Sequence, residues 1–266
     1  ALGINLPELR TDDPYAQTVL ADSPNAFWRL DSSKHGIVSD YSGNGFNGIF
    51  VGSPTPSTDS AVTDGHGSHV FSGSVQGAAA NTAIQAPDTY ASEIWFRTTT
   101  SAGGKIMGMG AARTGNSGSY DRHVYMLADG RLATGVWTGA QTTVVTTQAY
   151  NDGQWHHVVA QVGDGALQLY VDGARIGETL FTNAIQPYVG YWRVGGDVSW
   201  SGAPYFAGSL DEFAVYSAPL TPGQIQTHYA VGTAQENQLP VASFTATKDF
   251  LTVSVDSSAS QDPDGT

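Results

Sequence analysis

The chain has 266 residues, no cysteine and a formal net charge of −13. The absence of cysteine excludes disulfide bonds, thiolate metal sites and cysteine nucleophiles. Its dispersed acidic charge would repel phosphate backbones and anionic lipid headgroups, so we expect no nucleic-acid partner. No apolar run reaches the ~18 residues of a membrane span, so we also expect no membrane insertion.

The N-terminal 24 residues are a polar lead-in that contains one helix start. Asp13 precedes Pro14, and an N-cap residue followed by a first-turn proline is typical of a helix N-terminus. We predict a short helix from Pro14 to about Leu20. Since the lead-in is polar, we expect any export signal to lie upstream or to have been removed.

Strand-like segments follow along most of the remaining chain. In one of them, 92–99, Ile94 and Phe96 share one face. Trp95 and Arg97 share the other. Glycine-rich turns separate such segments, and little helix lies between them. This pattern predicts an all-β fold, a two-sheet antiparallel jelly-roll sandwich with short terminal helices.

Two adjacent histidines, His156 and His157, lie in a hairpin predicted at 151–173. Neighbouring side chains of a strand point to opposite faces, so His156 should lie with Val158 and His157 with Val159. The pair cannot bind one metal ion without a bulge. We therefore expect both histidines to fill packing and hydrogen-bonding roles.

The periodicity changes near the C-terminus. Residues 220–232 predict a short helix, with Thr221 as its cap and Pro222 in its first turn. The segment 232–240 has the composition of a linker. A new alternating pattern begins at 241 and predicts the first two strands of another, truncated β-domain.

Five stretches occur in the order typical of one family. They are AFWRLDSS at 26–33, DYSGNGFNGIF at 40–50, HVFSGS at 69–74, NDGQWHHVVAQVGDGALQLYVDG at 151–173 and GSLDEFAVYSAPLTPGQIQTHY at 208–229. Together they resemble the laminin-G-like jelly roll of the concanavalin A-like superfamily. The tail, with VASFTAT and a QDPDG ending, resembles the start of a polycystic-kidney-disease-type (PKD) Ig-like domain. The expected organisation is a lead-in at 1–24, a laminin-G-like domain at 25–231, a linker at 232–240 and a partial Ig-like β segment at 241–266.

The resemblance also implies a role. Relatives in this family are usually recognition modules of larger extracellular proteins. Some bind sugars, some bind proteins, many have no known ligand, and several carry a structural calcium ion.

The loop that contains Asp40, Asn44 and Asn47 is the candidate metal site. Its oxygen-bearing side chains suit calcium, although such a loop alone is typical of a solvated turn. In the family that this chain resembles, an acidic residue of the strand containing LDEF lies close to this loop. The corresponding residue here is Asp211. Alternation would place Asp211 on the apolar-rich face with Phe213, where a bare carboxylate is costly. We predict a structural Ca²⁺ held by Asp40, Asn44 or Asn47, and Asp211.

The sequence gives little support for catalysis. Glycosidases of this superfamily fold use an E-x-D-x-x-E pattern that brings two carboxyl groups to about 5 Å. That pattern does not occur in this chain, where Glu93 stands alone on its strand. A nucleophile elbow and a phosphate-binding glycine loop are also missing. We therefore predict no catalytic residues.

Aromatic loop residues form the candidate ligand site. Sugar rings stack on aromatic faces, while charged groups bond their hydroxyls. The predicted ligand-binding residues are Tyr120, Arg122, Trp137, Tyr191, Trp192, Asp197, Trp200 and Tyr205. Most aromatic residues of a sandwich serve packing. We most expect Trp200 to be exposed, because of its loop position.

These observations predict a non-catalytic recognition module of a secreted or cell-surface bacterial protein. We expect it to be carbohydrate-binding or adhesive and stabilised by calcium, with a glycan or an extracellular or cell-surface protein as its partner. Two alternatives stay open. One is a structural or spacer domain, as in a surface layer or a phage decoration. The other is an accessory domain of a glycoside hydrolase.

Overall fold

A computed structural model describes residues 13–31, 36–63, 66–234, 242–243, 245–249 and 252–260. It divides the chain into two compact units, Ala1–Thr233 and Ala234–Thr266. Residues 1–12 of the predicted lead-in and 235–240 of the predicted linker lie outside the described residues, as does the QDPDG ending of the tail.

The first unit is built from two helices and many short strands. In chain order its elements are α1 (Pro14–Ala21), β1 (Ala26–Trp28), β2 (Ile37–Val38), β3 (Gly48–Val51), β4 (Thr55–Ser57), β5 (Ser68–Ser72), β6 (Gly77–Ala80), β7 (Ile84–Gln85), β8 (Tyr90–Arg97), β9 (Gly104–Gly110), β10 (Tyr120–Met126), β11 (Arg131–Trp137), β12 (Gln141–Ala149), β13 (Trp155–Gly163), β14 (Ala166–Val171), β15 (Ala174–Leu180), β16 (Val189–Val194), β17 (Ala207–Tyr216) and α2 (Pro222–Thr233). Both helices form where the sequence predicts them. The Asp13 side chain caps α1 by accepting a 2.9 Å hydrogen bond from the Ala16 N–H.

The strands form two antiparallel sheets. The first sheet has the order β15-β14-β13-β8-β17-β5-β4, with β1 paired to β17. The second sheet has the order β12-β11-β10-β9-β16-β6-β3-β2, with β7 paired to β16. The predicted two-sheet antiparallel sandwich is confirmed.

The core lies between the two sheets. Trp28, Phe96 and Phe213 of the first sheet pack there with Val124 and Met107 of the second, all fully buried. Burying a side chain of this size stabilises the fold by about 1.5–3 kcal/mol. Because side chains alternate along a strand, every second residue of each strand points into this core.

The outer face of the first sheet is also buried, because both helices pack on it. Tyr15 and Val19 of α1 and Ile225 of α2 meet Trp95 and Val159 of the sheet in a second apolar cluster. As predicted, Trp95 therefore faces away from its neighbour Phe96. With the helices on the first sheet, the outer face of the second sheet is left to loops.

The adjacent histidines face opposite ways, as alternation predicts. The His156 ring stacks near Phe96 and its two nitrogens lie 2.8 Å from Asp172 and 3.1 Å from Asp152. His157 lies on the helix side, where its ring contacts Trp95. The two side chains therefore serve packing and hydrogen bonding on opposite faces of the strand.

Glu93 is the centre of a buried polar network beneath the helices. Its carboxylate accepts a hydrogen bond from the Tyr216 hydroxyl and lies 2.9 Å from His157 Nε2 and from His228 Nδ1. The other nitrogen of His228 lies 2.9 Å from Asp22 at the end of α1. The network therefore joins both helices to three strands of the first sheet.

This network moves the pKa values of its members in opposite directions. Burial opposes the charge on His228, but Glu93 and Asp22 outweigh it and raise the pKa of His228 to about 9. Burial likewise opposes the charge on Glu93, but His228 and His157 hold the pKa of Glu93 well below its ordinary value of 4.5. The contribution of His228 to stability is therefore complete below pH 6.5 and is lost as the pH rises towards 9. That of Glu93 is present above pH 4.5 and is lost in acid.

His228→Ala should lower the free energy of unfolding by about 2–4 kcal/mol at neutral or mildly acidic pH. The loss should be smaller above pH 9, where the wild-type imidazole has given up its proton. Urea denaturation at both pH values measures this difference. Gln226→Ala, an exposed neighbour on α2, is the control and should change stability by less than about 0.5 kcal/mol. An effect of His228→Ala that grew with pH would contradict the network.

Strand β17 departs from the predicted alternation. Its pairing with β8 shifts register between Asp211 and Ala214, and Glu212 has a φ of 53°. Because this bulge inserts an extra residue, Leu210 and Phe213 both reach the inter-sheet core. The prediction that Asp211 shares the apolar face of Phe213 is therefore wrong.

The second unit contains one antiparallel hairpin. Its strands, β18 (Thr245–Asp249) and β19 (Thr252–Asp256), pair with Thr245 opposite Asp256. The two strands that the alternating pattern predicts are confirmed. Their assignment to a PKD-type domain stays a prediction.

Candidate ligand-binding face

The loop predicted to bind calcium is closed by its own hydrogen bonds. Asp40 is buried, and its Oδ1 accepts from the N–H groups of Phe27 at 2.9 Å and Ser42 at 3.0 Å. Its Oδ2 accepts from the Ser42 hydroxyl at 2.9 Å and from the Phe46 N–H at 2.8 Å. Each carboxylate oxygen thus already faces two donors.

The two asparagines of the loop also have protein partners. Asn47 Oδ1 accepts from the Asp40 N–H at 2.8 Å, while the Asn44 amide donates to the Pro24 and Asn25 carbonyls at 3.0 and 3.2 Å. The Asp40 oxygens and Asn47 Oδ1 thus accept hydrogen bonds from protein donors, which a cation at this loop would have to displace. Within the described chain, no group of three or more His, Cys, Asp or Glu side chains is placed to hold a metal ion.

Asp211 lies in a different environment from Asp40. Its Oδ2 accepts from the Ser60 hydroxyl at 3.0 Å and the Ala61 N–H at 2.9 Å, and it shares no hydrogen-bond partner with Asp40. Next to it, Glu212 accepts from Arg29 Nε at 2.9 Å. Both carboxylates are fully buried, and one oxygen of each has no hydrogen-bond partner among the described residues.

Burial raises the pKa of Asp211 to about 8 from its ordinary 3.8, against the opposing hydrogen bonds from Ala61 and Ser60. Burial raises the pKa of Glu212 as well. We place the proton on Asp211, because Glu212 is bonded directly to the Arg29 guanidinium. The fold therefore holds Asp211 neutral near pH 7.

Asp211→Asn should stabilise the protein increasingly as the pH rises. Below pH 3.8 the carboxyl group is protonated in both the folded and the unfolded protein, so its raised pKa does not change the free energy of unfolding. Between pH 3.8 and about pH 8 it lowers the free energy of unfolding progressively. Asparagine removes that titration, so the variant should gain at least ~2 kcal/mol over wild type between pH 4 and pH 9. Urea denaturation across this range measures the gain. A difference that did not change with pH would show that Asp211 is ionised in the folded state.

Three of the predicted ligand residues are buried inside the protein. Trp192 lies in the core beside Tyr90 and Phe213. Arg122 is fully buried, with a φ of 49°, and it donates to the Pro87 carbonyl at 2.7 Å and to Asp121 at 2.6 Å. The third is Asp197, which is also fully buried.

Asp197 anchors the loop that carries Trp200. Its φ of 143° lies in a region that favours glycine, and its carboxylate accepts from the Ser117 N–H at 2.8 Å and hydroxyl at 2.7 Å. Lys105 and Arg193 both pair with it, at 3.4 and 3.3 Å. The carboxylate thus bonds to Ser117 and pairs with two buried cations at once.

The remaining aromatic candidates are half-buried or exposed. Tyr191 packs at the edge of the core, and the Tyr205 hydroxyl donates to Asn116 at 3.3 Å. Lys105 Nζ lies 5.9 Å from the centre of the Tyr120 ring. Trp137, at the end of β11, is 37% exposed.

Trp137 and Trp200 come together on the outer face of the second sheet. Their rings meet edge-to-face with centroids 6.4 Å apart. Trp200 also contacts the ring of His123, at 4.6 Å, and His123 in turn contacts Tyr125, at 4.8 Å. We call these four residues, Trp137, Trp200, His123 and Tyr125, the tryptophan face.

Beneath Trp200 the sheet carries His123 and Gly135. His123 pairs with Gly135 on β11, and a Cβ at Gly108 on β9 would lie 2.4 Å from the His123 Cβ. A Cβ at Gly135 would lie 2.1 Å from the Trp200 ring, so the indole rests directly on the backbone there. We call this depression, Gly108, His123 and Gly135, the glycine trough.

His123 is the least satisfied polar side chain of this region. It is fully buried, and neither ring nitrogen has a hydrogen-bond partner within the part of the chain described. Burial and the nearby Lys105 hold its pKa well below 6.5, so the ring is neutral. Each such unpaired group costs about 1–3 kcal/mol.

Two cavities lie away from the tryptophan face. One, of about 210 Å³, is lined by Asn25, Ala26, Phe46, Ile84, Pro87, Thr89, Trp192, Val215, Tyr216 and Ser217. The other, of about 430 Å³, is lined by Arg97, Thr98, Thr99, Thr100, Gly153, Ala207, Gly208 and Ser209. Trp192 is the one predicted ligand residue among these linings, so the cavities do not gather the sequence candidates.

Comparison with known proteins identifies the family. A laminin-G-type profile of the concanavalin A-like lectin/glucanases superfamily matches residues 64–226. The chain therefore belongs to this superfamily, as the five sequence stretches predict. No curated protein matches the chain in sequence.

Several solved structures share the fold. The binding domain of Paraclostridial Mosquitocidal Protein 1 has a TM-score of 0.60 and 13% identity, over 79% of this chain and 52% of that one. Domain 4 of AbnA, a GH43 extracellular arabinanase from Geobacillus stearothermophilus in complex with arabinotriose, has a TM-score of 0.53 and 17% identity, over 78% and 98%. Trypanosoma rangeli sialidase has a TM-score of 0.55 and 14% identity, over 77% and 32%.

These likenesses define the fold and no more, because the identities are low. The chain spans about half of the mosquitocidal binding domain and a third of the sialidase, but nearly all of the arabinanase domain. The similar structures include both binding domains and an enzyme, so the face itself must indicate the function. No helix of the described chain is long and apolar enough to cross a membrane.

Proposed function

We propose that the first unit is a non-catalytic recognition module that binds a glycan at the tryptophan face. The observation that carries this proposal is the pair Trp137 and Trp200, which meet edge-to-face on a sheet surface that the helices leave uncovered. Exposed indole rings offer the flat apolar surface on which sugar rings stack.

Similar proteins support the proposal in general terms. Domain 4 of the arabinanase is described in complex with arabinotriose, and the binding domain of botulinum neurotoxin D is a receptor-binding domain of the same fold. A glycan or a cell-surface protein is therefore the partner we propose. We also propose that the parent protein is secreted or lies on the bacterial cell surface.

The carboxylates near the face support a non-catalytic role. Asp121 and Asp197 are fully buried, and each accepts hydrogen bonds from protein donors. A glycosidase needs two carboxyl groups that reach the sugar from opposite sides. Neither of these two is free to do so.

Trp137→Ala should weaken glycan binding by at least ~10-fold, because it removes the most exposed stacking ring of the face. A glycan array followed by calorimetry on the best ligand measures the loss. Leu180→Ala, at a 73% exposed residue of the first sheet, is the matched control and should bind as wild type does.

Two outcomes would contradict this proposal. Wild-type protein that bound no glycan, and instead self-associated, would favour the structural or spacer role. Glycan binding that Trp137→Ala left intact would place the ligand elsewhere on the molecule.

The structural calcium ion is a second, independent proposal from the sequence. It requires Asp40 to exchange its four protein donors for a cation, together with Asn44 or Asn47 and a carboxylate such as Asp211. Thermal unfolding after chelation, with and without added Ca²⁺, tests it. A rise in Tm with Ca²⁺ that is lost in Asp40→Asn would support the ion. An unchanged Tm would establish that hydrogen bonds alone close the loop.

A further inference from the structure

We propose that Trp200 is a movable roof over the glycine trough, and that a neutral sugar ring enters the trough when the roof opens. The inference rests on the proposed glycan-binding function and names the subsite beneath the tryptophan face. In the closed form seen here, the indole of Trp200 occupies the place that the sugar ring would take.

The shape of the trough supports this role. Gly135 lies opposite His123 on β11, so no Cβ separates Trp200 from the sheet backbone on that side of the imidazole, while at Gly108 the space that a Cβ would take is filled by His123 itself. The Trp200 indole fills this depression in direct contact with the Gly135 backbone. A pyranose or furanose ring is similar in size to the six-membered ring of the indole and has an apolar C–H face that can lie against the sheet, so it would fit the same space.

The chemistry of His123 points to a hydroxyl-bearing ligand. The closed roof buries both ring nitrogens without a hydrogen-bond partner in the described structure. A neutral imidazole has one donor and one acceptor nitrogen, and a sugar hydroxyl can satisfy either. Opening the roof to admit a sugar would therefore replace two unpaired polar atoms with paired ones.

The hydrogen bonds of the two nearby cations favour a neutral sugar over an acidic one. Lys105 and Arg193 flank it, but Asp197 pairs with both cations. Arg193 also donates to the Ala112 and Gly115 carbonyls, at 3.0 and 2.7 Å. One carboxylate leaves one positive charge uncompensated, but the donors of both side chains are already bonded to protein acceptors, which a ligand carboxylate would have to displace.

The loop that carries Trp200 is held at its ends. At one end, the N–H of Asp197 donates to the Pro204 carbonyl at 3.0 Å. At the other end, the Ala203 N–H donates to the Ala102 carbonyl at 3.0 Å, and Gly202 has a φ of 78°. Between them, Val198, Ser199 and Trp200 are half-buried and Ser201 is exposed. Firm ends and a lightly held middle suit a segment that swings as a unit.

The first test asks whether Trp200 shields His123, and needs no ligand. Diethyl pyrocarbonate modifies accessible neutral imidazoles, and mass spectrometry resolves each histidine. Trp200→Ala should speed modification of His123 at least ~10-fold. Modification of His157, which lies under the helices, should not change. Equal modification rates of His123 in wild type and Trp200→Ala would contradict the claim that Trp200 shields His123.

The second test measures binding on an array of neutral and sialylated oligosaccharides. Gly135→Ala places a methyl group in the trough, and His123→Phe removes both nitrogens while keeping a flat ring. Each should weaken binding of neutral glycans at least ~10-fold. Trp200→Ala removes a stacking ring and the roof together, and should weaken binding less than Trp137→Ala does. Gly118→Ala is the control, because a Cβ there meets nothing within 4 Å.

The outcomes separate this inference from the proposed function. Wild-type protein that bound no glycan would defeat both. Loss of binding in Trp137→Ala but normal binding in Gly135→Ala and His123→Phe would defeat the trough alone. A loss in Trp200→Ala as large as that in Trp137→Ala would show that Trp200 is a fixed stacking wall.

A third measurement uses the unaltered sequence, in case a variant fails to fold. In protein labelled with 5-fluorotryptophan, the best glycan from the array should shift the ¹⁹F resonance of Trp200 towards that of an exposed indole. Trp28, fully buried in the core, is the internal reference and should not move. A Trp200 resonance that stayed in place at saturating glycan would overturn the proposal.

Discussion

The ion pair between Glu93 and His228 is the contact on which the arrangement of the molecule depends. A buried carboxylate is costly, and this one persists because Tyr216, His157 and His228 all bond to it. His228 belongs to α2 and also reaches Asp22 at the end of α1, so the same network fixes both helices on the first sheet. One sheet is thereby buried on both faces, while the other keeps an outer face that only loops cover.

On that outer face, one buried carboxylate pairs with two buried cations. Asp197 pairs with Lys105 and Arg193 and starts the loop that places Trp200 over the sheet. His123 is the exception, since its nitrogens are buried and unpaired within the described residues. The unpaired nitrogens of His123 thus lie beside two tryptophans and two glycines. We propose that a ligand binds there because it could supply the missing hydrogen bonds.

Much of the fold could be predicted from the sequence, because its signals are local. Period-2 alternation correctly separated Phe96 from Trp95 and His156 from His157, and the Asp13-Pro14 start correctly placed α1. The bulge at Glu212 could not be predicted, since it depends on how β17 meets β8. Of the predicted ligand residues, Trp137 and Trp200 do meet, whereas Arg122 and Trp192 are buried by contacts from distant segments.

By itself the sequence determined the class of fold, the two helices and the family, since alternation, caps and turn residues act between near neighbours. Only the tertiary structure decided which polar residues are buried together. The bond from Phe27 to Asp40, the proton on Asp211 and the roof over His123 arise from groups far apart in the chain, whereas Ser42 and Phe46 bond to Asp40 within one loop. Burial and hydrogen-bond partners are properties of the packed sheets, so no spacing of residues along the chain could have revealed them.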